Sequence, residues 1–278
     1  MAYKVIDISE HNASVDFTKL SVDAVVLRVG YRGYGEQGKI VSDKKFKEYI
    51  EQANKNHIPV GVYFYSQAIT SAEAKAEAKY VVNALKGYNI DLPVYFDAEY
   101  AERNGDFVGR LYKAKISKSK LTKIAQTFCD TILVYGYLAG VYASYDFFKN
   151  KYEVRSLKKY SLWVAHYSTT NLPKLAGAKF DMWQFTDDSK VKGVTGMVDM
   201  NQLYTDMIWR ECKTTVSLNY RNERSLDTKC IVGTLKKGAT VYAKAGSDVY
   251  VNGYNWVTVK RSPDDNTYYV AKQYLRSV

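Results

Sequence analysis

LPVYFDAE (residues 92–99) opens as an apolar run of the kind that forms a buried strand, then sets two acids two residues apart at its end. In a strand, residues two apart point to the same side with Cα atoms ~6.7 Å apart, so Asp97 and Glu99 form a carboxylate pair. Burying unpaired carboxylates is costly, and a strand that carries two needs a reason. Two such groups facing each other cannot both ionise freely, and one is pushed to a raised pKa suited to a general acid. That is the requirement of glycoside hydrolysis. A D-x-E at a strand end also fits a capped turn or a salt-bridged pair, so its neighbourhood has to decide.

On either side, similar β-branched or aromatic runs recur: YKVIDI at 3–8, AVVLRVGY at 24–31, PVGVYFYS at 59–66, and further candidates at 139–144, 161–167, 181–186 and 197–203. Counted with 92–99 they make eight strands. Between them, 43–56 carries Phe46, Tyr49, Ile50 and Ala53 on one helical face, and 71–86 carries Ala74, Ala78, Val81 and Leu85. A third helix is expected over 117–137, with Ser117 as its cap. Beyond residue 138 no comparable helical period follows. The fold class is therefore α/β plus all-β, opening with an irregular TIM-like β/α barrel that has fewer than eight helices. Asp7 in VIDIS and Asp199 in MVDMN also interrupt strands, and strand C-terminal ends are where active sites of parallel βα folds assemble.

Past Trp209 the pattern changes to short strands split by turns, with Asn252-Gly253 marking a tight hairpin. The expected division is a barrel over 1–209, a linker at 210–213 and a small β-barrel over 214–278. The 278 residues are 46% hydrophobic with four prolines, which suits one or two packed domains rather than a disordered chain. Net charge is +11, and residues 210–278 hold 12 basic and 6 acidic side chains. Such a surface suits anionic partners without choosing among them, and no nucleic-acid motif accompanies it. No run approaches the ~20 apolar residues of a membrane span, and the opening MAYKVIDISEH does not read as a signal peptide. Cys129, Cys212 and Cys230 are scattered and odd in number, so they read as reduced thiols. His57 and His166 lack a metal-ligand spacing, and GYRGYGEQG at 30–38 lacks the lysine of a P-loop and reads as a groove loop. No metal or cofactor is implied.

Four segments, DISEHN at 7–12, YFDAEY at 95–100, WQFT at 183–186 and VDMNQ at 198–202, resemble glycoside hydrolase family 25 in order and spacing. The resemblance covers roughly residues 3–209. It implies lysozyme activity on the β-1,4 bond between N-acetylmuramic acid and N-acetylglucosamine of peptidoglycan. Carried over by position, Glu99 looks like the general acid, Asp97 its partner, and Asp7 and Asp199 the remaining acids. Attack by a carboxylate or by the substrate's own N-acetyl oxygen is left open. His11 departs from the usual opening motif and is expected at the groove rim. Tyr31, Tyr65, Trp163, Tyr167, Trp183 and Gln184 are candidate sugar contacts, the aromatics among them equally compatible with core. Residues 214–278, through LNYRNERS at 218–225, IVGTLKKG at 231–238 and YVAKQYL at 269–275, resemble a bacterial Src-homology-3-type wall-binding domain. Tyr220, Tyr250, Tyr254 and Trp256 are then candidate wall contacts, with core the plainer reading for Trp256. Together the resemblances imply a phage-type endolysin made in the host cytoplasm and acting, after release, at the wall of a Gram-positive host. A bacterial autolysin of the same chemistry and a non-catalytic wall binder are the alternatives, and self-association through the C-terminal block is an open option.

Overall fold

The computed structural model describes residues 2–12, 14–167, 170–205, 209–244 and 247–278. The chain divides into two compact units, Met1–Thr205 and Asp206–Val278.

In the first unit eight strands close on themselves: β1 (Tyr3–Ile8), β2 (Ala24–Arg32), β3 (Val60–Ser66), β4 (Val94–Ala98), β5 (Ala139–Ser144), β6 (Ser161–Ala165), β7 (Met182–Ser189) and β8 (Val198–Leu203). They follow one another around the barrel in chain order, and β8 returns to pair with β1. Neighbours from β1 to β7 run parallel, whereas β8 is antiparallel to both β7 and β1. The N-terminal end of β8 therefore reaches the rim formed by the C-terminal ends of the other seven. All eight expected strands are present.

The expected helices are present with trimmed ends as α1 (Phe46–Lys55), α2 (Ser71–Ala84) and, after a short α3 (Gly109–Lys113), α4 (Lys118–Val134). Ser117 does cap α4, its hydroxyl accepting from Lys120 N. A fifth helix, α5 (Tyr145–Lys151), falls where none was expected. At seven residues it is too short to display a helical period, and it starts on a cap in which Ser144 Oγ accepts from Phe147 N at 3.1 Å.

Strand alternation separates two layers of side chains. Outward residues such as Ile6, Leu27, Val62, Phe96, Val141 and Val164 pack under the helices against Ile50, Val81 and Phe128. Inward residues are large and aromatic. Trp163 lies among Tyr63, Tyr95 and Tyr142 with ring centroids 6.1, 5.1 and 4.4 Å away, and plugs the barrel below its mouth. Gly140 makes this possible, since a Cβ there would sit 2.4 Å from the Tyr95 ring.

The second unit is an antiparallel sheet of β9 (Trp209–Thr214), β10 (Leu218–Arg221), β11 (Ile231–Leu235), β12 (Thr240–Lys244), β13 (Val249–Val251), β14 (Tyr254–Lys260), β15 (Tyr268–Ala271) and β16 (Leu275–Ser277). The order is β11-β10-β15-β14-β12-β9-β16, with β13 paired to β14. Cys212, Leu218, Val241, Val257, Val259 and Val270 form its core. Residues 210–213 are strand rather than linker, because β9 is held on both sides by β12 and β16. The Asn252-Gly253 turn is as expected, both residues having positive φ between Val251 and Tyr254. The three cysteines are free thiols. No helix among the described residues is long and apolar enough to cross a membrane.

Candidate active site

Asp7 points into the barrel from β1 and is 6% exposed. Its Oδ2 accepts from Gln184 Nε2 at 2.9 Å and from Asn201 Nδ2 at 2.8 Å. Asp199 faces it across the antiparallel β1–β8 pair and accepts from the same Gln184 amide at 3.3 Å. The Gln184 carbonyl is in turn fully used, taking the hydroxyls of Tyr142 and Tyr167 at 2.7 Å each. Asn201 is held by Trp163, whose Nε1 donates to Asn201 Oδ1 at 2.7 Å. One network thus fixes Asp7 and Asp199 from β5, β6, β7 and β8.

Asp97 and Glu99 enter from the end of β4. Asp97 is 4% exposed, and its Oδ1 is buried without a hydrogen-bond partner among the described residues. Glu99 lies just past the strand, partly buried, with the Tyr142 hydroxyl in hydrogen-bonding reach. Each acid feels the others. Burial raises Asp97 well above the usual carboxylate range, and the charges of Glu99 and Asp7 push the same way. Burial lifts Glu99 to about 7, with Asp7 adding to the rise and Tyr142 opposing it. Burial and the Asp7 charge lift Asp199 to about 8, and Asp7 itself is raised by burial despite its amide donors. The inward Arg28 of β2 is the nearby cation, paired to Asp43 at 2.8 Å and Glu10 at 3.0 Å, and it tempers Asp97. Four carboxyls crowd one mouth, each holding its proton more tightly than usual because of burial, and Glu99, at about 7, can give up and retake a proton near neutrality.

The sequence-based candidates separate on burial. Tyr167 is 37% exposed at the mouth, and Tyr31 and Tyr65 are partly buried there, Tyr31 lying under the Arg28 guanidinium at 5.4 Å. Trp163, at 1% exposure, is the barrel plug and presents no face to a sugar. Trp183 lies on the outward side of β7, 6% exposed, its indole N–H donating to His166 O. Gln184 is 1% exposed and holds the acids instead of a ligand. These three are corrected from sugar contacts to positioning and packing, because strand alternation gave their side but not their depth. His11 is exposed, and His166 stacks on Tyr145 with centroids 4.8 Å apart. In the second unit Tyr220 and Trp256 belong to the interior, at 9% and 2% exposure, while Tyr250 is 75% exposed and Tyr254 intermediate.

Sequence reasoning missed Arg28, Tyr142, Asn201 and Gln67. Arg28 carries the signal already used for the acids, a charge interrupting an apolar strand. Asn201 sits two residues after Asp199, on the same face of β8.

Residues 6–194 match the model for glycosyl hydrolases family 25. The modular autolysin LytC of Streptococcus pneumoniae is 30% identical with a TM-score of 0.62, over 73% of this chain and 47% of that one. This chain therefore spans about half the length of LytC. The spore cortex lytic enzyme SleM of Clostridium perfringens shares the fold over 97% of this chain and 98% of its own, with 18% identity and a TM-score of 0.66. The catalytic domain of the endolysin ply40, from bacteriophage P40 of Listeria monocytogenes, is 24% identical with a TM-score of 0.59, over 74% and 95%. No curated protein matches the chain.

Proposed function

Since this chain belongs to family 25 of the glycosyl hydrolases, we propose that it is a muramidase, cutting the β-1,4 bond between N-acetylmuramic acid and N-acetylglucosamine in peptidoglycan. The observation that carries this reading is the convergence of Asp7, Asp97, Glu99 and Asp199 at one mouth, with Glu99 held near 7. Glu99 donates its proton to the leaving oxygen, because it is the acid of the D-x-E pair that stands past the strand end, nearest to solvent. Asp97, more deeply buried and with its Oδ1 free of a hydrogen-bond partner among the described residues, is the partner acid that faces the reacting sugar ring or an N-acetyl group assisting from within the substrate. Asp7 and Asp199, both raised by burial and both accepting from the Gln184 amide, flank the reacting sugar. Tyr31, Tyr65 and Tyr167 line the mouth and offer ring faces to the glycan.

Lysis of a host wall, phage-endolysin fashion, accounts for the two-unit build. On this reading the protein is made in the cytoplasm of a Gram-positive host, crosses to the wall after release, and is held there by residues 206–278 as a Src-homology-3-type binding domain. Tyr250 and Tyr254 remain available as wall contacts. A bacterial autolysin of the same chemistry is the second reading, favoured by the 30% identity to the pneumococcal autolysin. The test is Glu99→Gln. It removes the titratable proton at nearly constant volume, so reducing-end release from purified peptidoglycan should fall by about 10²–10⁴-fold while sedimentation with walls persists. Mass analysis of wild-type products should find N-acetylmuramic acid at the new reducing ends. Glucosamine ends, or undiminished release by the variant, would contradict the assignment.

A further inference from the structure

On the rim formed by the C-terminal ends of the strands lies a cavity of about 550 Å³, bounded by Tyr34, Glu36, Ile69, Arg103, Arg110 and Lys113 among others. Its walls come from the segments that follow β2, β3 and β4, so it opens on the rim that carries the carboxyls. It is joined to Glu99 through one buried amide. Gln67 Nε2 donates to Glu99 O at 2.7 Å, Gln67 Oε1 accepts from Leu111 N at 3.3 Å, and Gln67 O accepts from Arg110 at 3.1 Å. The approach is close enough to require glycine at 109, where φ is +88° and a Cβ would lie 2.9 Å from Tyr34 Cβ.

The charged residues that line this cavity are mainly bases, where the mouth is lined by acids. Arg103 and Lys113 are exposed and have no ion-pair partner among the described residues. Arg110 spends part of its guanidinium on Glu73 at 2.6 Å, while its buried Nε has no hydrogen-bond partner among the described residues. Glu36 is the single acid in the lining. A cluster of carboxyls next to a cationic hollow suits a substrate with an uncharged backbone and an acidic branch.

We propose that this cavity binds the acidic peptide stem of the muramoyl unit, an inference that rests on the muramidase reading. The stem leaves the same sugar ring whose C1 is attacked, by way of the lactyl ether at C3. With that ring in the mouth, the stem must exit at its edge, and three to five residues extend ~10–18 Å. Carboxylates along the stem pair with Arg103 and Lys113.

The experiment compares two substrates, glycan strands carrying their stems and the same strands stripped by an amidase, with the full-length wild type and an Arg103→Ala/Lys113→Ala double variant at low salt. The wild type should show a lower KM on stem-bearing strands. The double variant should lose about 3–10-fold of that preference in KM with little change in kcat, as expected for two partly exposed ion pairs, and added salt should erase the difference in the wild type. A preference that is absent in the wild type, or identical in the two proteins, overturns the inference. A wild type that cuts neither substrate overturns the muramidase reading itself, and the stem site with it.

Discussion

At the scale of single residues, the site works by holding protons that water would remove. Glu99 and Asp199 keep theirs to about 7 and about 8 because burial penalises their charged forms before any neighbour acts. This has a consequence for stability. An unfolded carboxyl releases its proton near pH 4, so between there and the native value the folded chain binds more protons than the unfolded one. The stabilisation is full below about pH 4 and is lost as pH rises through about 7–8. Thermal midpoints should therefore fall between pH 5 and pH 8, and Asp199→Asn, which cannot ionise, should flatten that slope. A slope unchanged by the substitution would place the pH dependence elsewhere, for instance on the buried Glu77–Arg32 pair, where burial also lifts the acid to about 7. The acids were legible as charges within apolar strands. Their proton affinities were not, since these depend on depth and on neighbours up to 194 residues away in sequence.

At the scale of strands and helices, the informative element is β8. Its reversed direction lets Asp199, one residue into the strand, meet Asp7, near the end of β1. Sequence spacing gave two acids near opposite ends of a block, and only the pairing register set them face to face. The same element carries Asn201, which couples the acids to the Trp163 plug. Trp163→Phe keeps most of the ring volume but leaves Asn201 Oδ1 without its donor in a buried place. It should cost about 1–3 kcal/mol of stability, read from urea unfolding, and lower kcat through Asp7 without a matching rise in KM. A KM effect alone would restore Trp163 to the list of sugar contacts. The missed α5 has a simpler origin, because seven residues span fewer than two turns of an α-helix.

For the whole molecule, two compact units each have a core of their own, so chemistry and attachment are expected to separate. Deleting residues 206–278 should leave kcat on short soluble glycans within about twofold. It should reduce retention on intact walls by 10²-fold or more, since a linked binder supplies an effective concentration around millimolar; equal retention of the two forms would remove the targeting role. Local pattern alone determined the eight strands, the three long helices, the change of grammar near residue 209 and the acids themselves, because periodicity and the cost of burying charge are properties of short segments. Tertiary structure alone decided that β9 is strand and not linker, that Trp163, Trp183 and Gln184 are supports and not sugar contacts, and that four distant carboxyls share one mouth beside a cationic hollow. Depth, pairing partner and strand direction arise from contacts between residues far apart along the chain, and no window of sequence contains them.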